Sequence, residues 1–65
     1  MLKNRLRDIR LREYAMSSTD FAKMLGVSIS VYSAWERGVN FPQLEKAFDV
    51  AKKLNRTVID IWYEE

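Results

Sequence analysis

The feature that most restricts this chain is the spacing of its apolar residues, which return at intervals of three and four. Leu44, Ala47, Phe48, Ala51 and Leu54 form the cleanest stripe. That interval puts side chains on one face of a helix. Leu2, Leu6 and Ile9 repeat it near the start, Phe21, Ala22 and Leu25 carry it next, and Val31, Tyr32 and Trp35 follow. No alternating strand pattern, internal repeat, low-complexity segment or interdomain linker interrupts these stripes. With 65 residues and neither Cys nor His, no disulfide or ordinary structural zinc site can staple the fold. The core must come from packed helices, and the length suits one domain, residues 1–65. The expectation is an all-α, compact five-helix bundle.

Turn residues divide the stripes. The first helix is expected over Leu2–Glu13. The second, about Ser18–Leu25, can be capped by Ser17 or Ser18, and Ser17 with Asp20 makes a loose capping box. Gly26 ends it, since glycine takes a positive φ without cost. Ser28 opens the third helix, with Val27 able to pack on Tyr32, and Gly38 stops it. Val39-Asn40-Phe41-Pro42 is the one clear loop. Proline suits the first turn of a helix, so the fourth is expected over Pro42–Leu54, with Asn55 as a left-handed cap. Thr57 caps a last short helix carrying Val58, Ile61 and Trp62.

Several functions are excluded at this level. Catalysis lacks a His base, a Cys nucleophile and a glycine-rich phosphate loop, and no cluster of ligands suggests a metal. No enzyme, catalytic residue, metal or cofactor is therefore expected. No apolar run approaches the ~20 residues of a membrane span, and Met1-Leu2-Lys3-Asn4-Arg5 is not followed by the apolar stretch of a signal peptide. The chain is expected to be soluble and cytoplasmic. Its formal charge is only +2. The positive charge gathers in the first helix, where Lys3, Arg5, Arg7, Arg10 and Arg12 face only Asp8 and Glu13.

Two short helices meeting at Leu25-Gly26-Val27-Ser28, with small Ala22 four residues before Gly26, have the spacing of a helix-turn-helix over about residues 18–37. In that motif the second helix enters the DNA major groove. The sequence also resembles the Xre/Cro family of phage-repressor-type DNA-binding domains. The resemblance lies in Phe21-Ala22, Leu25-Gly26-Val27-Ser28, Trp35-Glu36-Arg37-Gly38, Pro42 before Leu44, and Ala51 through Trp62, and it covers about residues 2–62. It implies a lambda-repressor-like fold of five helices that binds operator DNA, commonly as a dimer, and regulates transcription. The chain departs from the family's common pattern in three places. Ser18 stands where Gln is frequent, Ile29 and Ala34 stand where Arg, Gln or Lys are frequent, and the link from Arg10 to Met16 is one residue longer.

With Val31, Tyr32 and Trp35 expected inside, the third helix would present Ile29, Ser30, Ser33, Ala34 and Arg37 to the bases. Serine can bond several base edges, Ile or Ala can touch a thymine methyl, and Arg37 suits a guanine or a phosphate. Ser18, Thr19 and Lys23 are candidate phosphate contacts, because a helix start attracts anions. The resemblance adds Asn40, in the loop that crosses the DNA backbone, and an ion pair of Arg10 with Glu36. Ile59, Trp62 and Tyr63 crowd the C-terminal end and are a candidate dimer seam, two-fold dimers being the commonest oligomers. The expected function is a sequence-preferring regulator of transcription, a repressor that binds double-stranded operator DNA as a homodimer. The alternative is an antitoxin or anti-repressor that uses the same scaffold to bind a regulatory protein partner.

Overall fold

Asn4 decides how the chain begins. In the computed structural model, which describes residues 1–65, Asn4 Oδ1 accepts from the Leu6 N–H at 3.1 Å, and Asn4 Nδ2 donates to the Trp35 carbonyl at 2.9 Å. A side chain bonding the backbone two residues on makes a turn, and this one separates a strand from a helix. β1 (Leu2–Asn4) pairs antiparallel with β2 (Trp62–Glu64), Lys3 standing opposite Tyr63. The all-α expectation is therefore corrected: a mostly helical body carries a two-stranded sheet joining its two ends. The first helix starts at Leu6, not Leu2. Three-residue strands are too short for alternation to show, and Leu2 is exposed while Leu6 and Ile9 are buried.

Helix α1 opens as one α-turn, Leu6–Asp8, and continues as a π-helical stretch, Ile9–Tyr14, closed by left-handed Ala15 (φ 50°) whose N–H donates to the Arg10 carbonyl. A π-turn spans one residue more than an α-turn. It carries the chain from Arg10 to Met16, whose N–H also donates to the Arg10 carbonyl, at 3.2 Å. Helices α2 (Ser18–Leu25), α3 (Ile29–Glu36), α4 (Leu44–Lys53) and α5 (Val58–Ile61) follow. Ser17, not Ser18, caps α2, Ser28 caps α3, and Thr57 with Asp60 forms a reciprocal capping box on α5. Three helix ends share one device. Gly26, Gly38 and Asn55 are left-handed, and each closes a Schellman pair: Val27 N–H to Ala22 O, Val39 to Ala34, Arg56 to Ala51. Pro42 lies before the N-cap Gln43, so α4 starts two residues later than expected and Pro42 is not in its first turn.

The core gathers Leu6, Phe21, Leu25, Tyr32, Val50 and Ile61, all fully buried, with Trp35, Ala47, Ala51, Leu54 and Trp62 around them. Phe21 meets the Tyr32 ring edge-on at 5.4 Å, and Trp35 meets Trp62 at 6.5 Å, the T-shaped geometry that ring quadrupoles favour. Two expected faces are rotated. On α4 the buried row is Ala47, Val50, Ala51 and Leu54, while Leu44 and Phe48 are 69 % and 59 % exposed. On α3, Val31 faces outward. No helix is long and apolar enough to cross a membrane.

Candidate nucleic-acid interface

The turn between α2 and α3 is clamped by α4. Lys46 and Lys53 each donate from Nζ to the Leu25 carbonyl, at 3.1 and 3.4 Å, and Asp49 bridges them at 3.2 and 3.4 Å. Cations at the end of α2 oppose the partial negative charge of its last carbonyls. The Lys46 ammonium, ahead of Lys53, holds the Asp49 carboxyl below its ordinary pKa. The sequence reading missed this clamp, although Lys46, Asp49 and Lys53 lie at helical i, i+3 and i+7 spacing.

The C-terminal half of α3 is pinned from behind. Arg10 Nε donates to Glu36 at 3.2 Å with both side chains largely buried. Arg10 Nη1 donates to the Met16 carbonyl at 3.0 Å, and the Tyr32 hydroxyl donates to the same Glu36 carboxylate. Burial, with Glu36 alongside, pushes the Tyr32 hydroxyl above its ordinary pKa. Asn4 holds the Trp35 carbonyl at the same end, a contact that nothing in the sequence reading anticipated.

With that side held, the opposite face of α3 is set. Ile29, Ser30 and Arg37 are exposed, and Ser33 and Ala34 are half-buried on the same outward side. The two serine hydroxyls bond nothing in the chain, and Arg37 belongs to none of its ion pairs. Val31 joins this surface. Its place four residues before Trp35 suggests the core, but it points to the rim of the exposed face.

The α2 candidates sit at that helix's start and along its outer side. Ser17 takes up the Asp20 N–H at 3.2 Å, which leaves the N–H groups of Ser18 and Thr19 without a partner in the chain. Ser18 is half-buried, and Thr19, Lys23 and Asn40 are exposed.

Of the three residues expected as a seam, only Ile59 stands well out from the surface. Ile59 is 76 % exposed, but Trp62 is 6 % exposed, turned inward against Trp35. Tyr63 lies half-buried beneath the Arg5 guanidinium, 4.0 Å from its ring centre. The exposed apolar surface lies instead along Phe41, Leu44 and Phe48. A groove of about 330 Å³ runs between Phe41, Leu44, Val58 and Trp62, and a second, beside Phe48 and Ala51, shares Val58 with it.

A helix-turn-helix family model matches residues 6–61, from the start of α1 to the end of α5. No curated protein matches the chain. The matched span takes in the turn, the two helices it joins, and the Arg10–Glu36 and Lys46–Asp49–Lys53 contacts that hold them. This is a family of DNA-binding regulators rather than of enzymes. The chain belongs to the Xre and lambda-repressor type of helix-turn-helix proteins, regulators of transcription that bind double-stranded DNA.

Proposed function

We propose that the protein is a sequence-preferring repressor that binds operator DNA as a homodimer, with α3 lying in the major groove. One observation carries this reading: the two sides of α3 are treated oppositely. Tyr32, Trp35 and Glu36 are locked into the body, while Ile29, Ser30, Ser33, Ala34 and Arg37 face outward with no side-chain partner in the chain. Ser18, Thr19, Lys23 and Asn40 supply the phosphate contacts, the first two through the free N–H groups at the start of α2. Repression needs only that the operator be occupied.

The homodimer meets across the Phe41–Leu44–Phe48 surface, and exposed Ile59 is assigned to the same seam. An isologous interface needs a patch that fits itself. This one sets protruding Leu44 and Phe48 beside the grooves around Val58. Half-sites then stand about 10–10.5 bp apart, or a multiple of that distance. Ile59→Glu brings two like charges together in such a seam and halves the sedimenting mass at micromolar concentration with helical signal retained. An unchanged mass removes Ile59 from the seam.

The test of the DNA reading is titration of Arg37→Ala and Ser33→Ala against a duplex selected from a random pool and its single-base variants. An Arg37–guanine contact discriminates by about 1–3 kcal/mol. A phosphate contact weakens all sequences alike and lowers the salt slope by about one. Affinity falls by roughly 10³–10⁵ between 50 and 200 mM salt if the dimer makes 6–10 phosphate contacts. Unchanged affinity and preference in both variants removes Arg37 and Ser33 from the base-reading face. Loss of all DNA retention, with capture of a protein partner instead, turns the scaffold into an interaction module.

A further inference from the structure

Helix α3 carries no amide, and its only outward cation, Arg37, stands at its C-terminal cap. This inventory limits what the helix can distinguish. Adenine is read by paired bonds from Asn or Gln, guanine by Arg or Lys, and cytosine by a carboxylate. Through its first two turns α3 offers none of these outward, since Glu36 is held by Arg10 and Tyr32. Ser30 and Ser33 can each donate or accept, so a serine bonds to any base pair and separates them poorly. The remaining outward groups are apolar: Ile29 and Val31, 46 % and 43 % exposed, and Ala34 one turn on. Ile29 and Val31 flank Ser30 in the N-terminal turn, the part of a recognition helix that meets base edges. The C5-methyl of thymine is the major-groove feature that an apolar side chain detects.

We infer that α3 reads its operator through thymine methyl groups, with Ile29, Val31 and Ala34 as the specificity-determining side chains. Arg37 adds one contact at the edge. The inference rests on the proposal that α3 enters the major groove. Small residues at 30, 33 and 34 let the helix axis approach the bases, so the longer Ile29 and Val31 reach methyl groups at contact distance. Covering a methyl removes apolar surface from water on both partners, and one buried carbon of this size is worth about fourfold in affinity.

The experiment removes the methyl and nothing else. A duplex is selected by the wild-type protein from a random pool, and each thymine in turn is replaced by deoxyuridine. Binding weakens about fourfold at two or more positions in each half-site. A cytosine·guanine pair at such a position loses more than a 5-methylcytosine·guanine pair, because the latter restores the methyl. Ile29→Ala erases the uracil penalty at one position and leaves the others. Thermal melts of that variant check that it is folded, and if it is not, the uracil series on the wild type decides alone. Tight binding that is indifferent to uracil at every position overturns the methyl reading while leaving DNA binding in place. Failure of the wild type to retain any duplex at low salt overturns the major-groove proposal and this inference with it.

Discussion

Replacing Glu36 with alanine removes the carboxylate shared by Arg10 and Tyr32 and strands a guanidinium. Breaking one side of a buried ion pair costs about 3–5 kcal/mol, because the surviving charge stays out of water. Here the Arg10 side chain is 11 % exposed and that of Glu36 19 %, and Arg10 keeps the Met16 carbonyl at 3.0 Å. Some water and one partner remain, so the lower end applies, about 3 kcal/mol. A chain of this length holds only roughly 3–10 kcal/mol in all. In a domain of this size each kcal/mol moves the midpoint by about 4–8 °C, so Tm falls by about 12–24 °C. Far-ultraviolet circular dichroism gives the midpoint. Tryptophan fluorescence provides a second probe, since Trp35 and Trp62 are both buried. The double variant Arg10→Met with Glu36→Leu recovers most of the loss, as apolar replacements of whole buried pairs commonly do. A drop of less than about 4 °C for Glu36→Ala, equivalent to under 1 kcal/mol, refutes the reasoning, as does a double variant no better than the single one.

Three further outcomes are expected. Asn4→Ala loses the bonds to Trp35 O and Leu6 N and destabilises by about 1–3 kcal/mol, read by chemical denaturation. Gly26→Ala forces an L residue to φ 77° at a cost of about 1–2 kcal/mol. Its new Cβ meets the clamping ammonium groups of Lys53 and Lys46, 3.3 and 3.7 Å away, a contact that Gly26→Asn shares, so the asparagine, better suited to left-handed backbone, melts higher than Gly26→Ala. The Asp60 carboxyl is held below its ordinary pKa by the Thr57 backbone N–H and then by the Thr57 hydroxyl. A depressed carboxyl contributes stability above its unfolded value, near ~3.9, and loses it as pH falls through the lower folded value. The acid limb of a stability–pH curve is therefore shallower in Asp60→Asn than in wild type, and identical limbs remove Asp60 from that role.

The legible and the illegible parts of this molecule divide by range. Gly26, Gly38 and Asn55 mark helix ends in the sequence because a left-handed residue is a local requirement, and each occupies that conformation. Ser28 and Thr57 are legible as caps for the same reason. What failed depends on distant partners. Leu2 has the spacing of a helical residue, but β2, sixty residues away, takes it into a strand. Leu44 and Phe48 fit a stripe as well as Val50 does, and only the position of α5 and the loop decides which row of α4 is covered. Val31 points to the rim of α3 and not into the core, and Trp62, expected on the last helix, opens β2. A helix of eight residues or fewer offers too few turns to settle the phase of its buried face. On α3 the large Tyr32 and Trp35 are enough to name Ile29, Ser30, Ser33, Ala34 and Arg37 as outward, but not Val31 at the rim. The clamp of Lys46, Asp49 and Lys53 on Leu25 could not be named in advance, because it joins α4 to a carbonyl more than twenty residues away.

The same division explains how such a domain can change what it binds without ceasing to fold. The side-chain contacts that pin the C-terminal half of α3 come from residues away from its outward side: Tyr32 and Trp35 in the core, Glu36 held by Arg10, and Trp35 O held by Asn4. Ile29, Ser30, Ser33 and Arg37 contribute no side-chain bond to the fold. Exchanging an exposed residue away from caps and buried partners typically costs less than about 0.5 kcal/mol, against about 3 kcal/mol for Glu36. Ile29→Gln therefore alters recognition with little change in Tm, replacing a methyl contact by an amide able to bond adenine. The variant is selected against a random duplex pool beside the wild type. Enrichment of adenine where the wild type takes thymine, at an unchanged melting temperature, is the expected result. An identical selected sequence means Ile29 lies off the bases, and a large fall in Tm means that the outward face of α3 is not independent of the core.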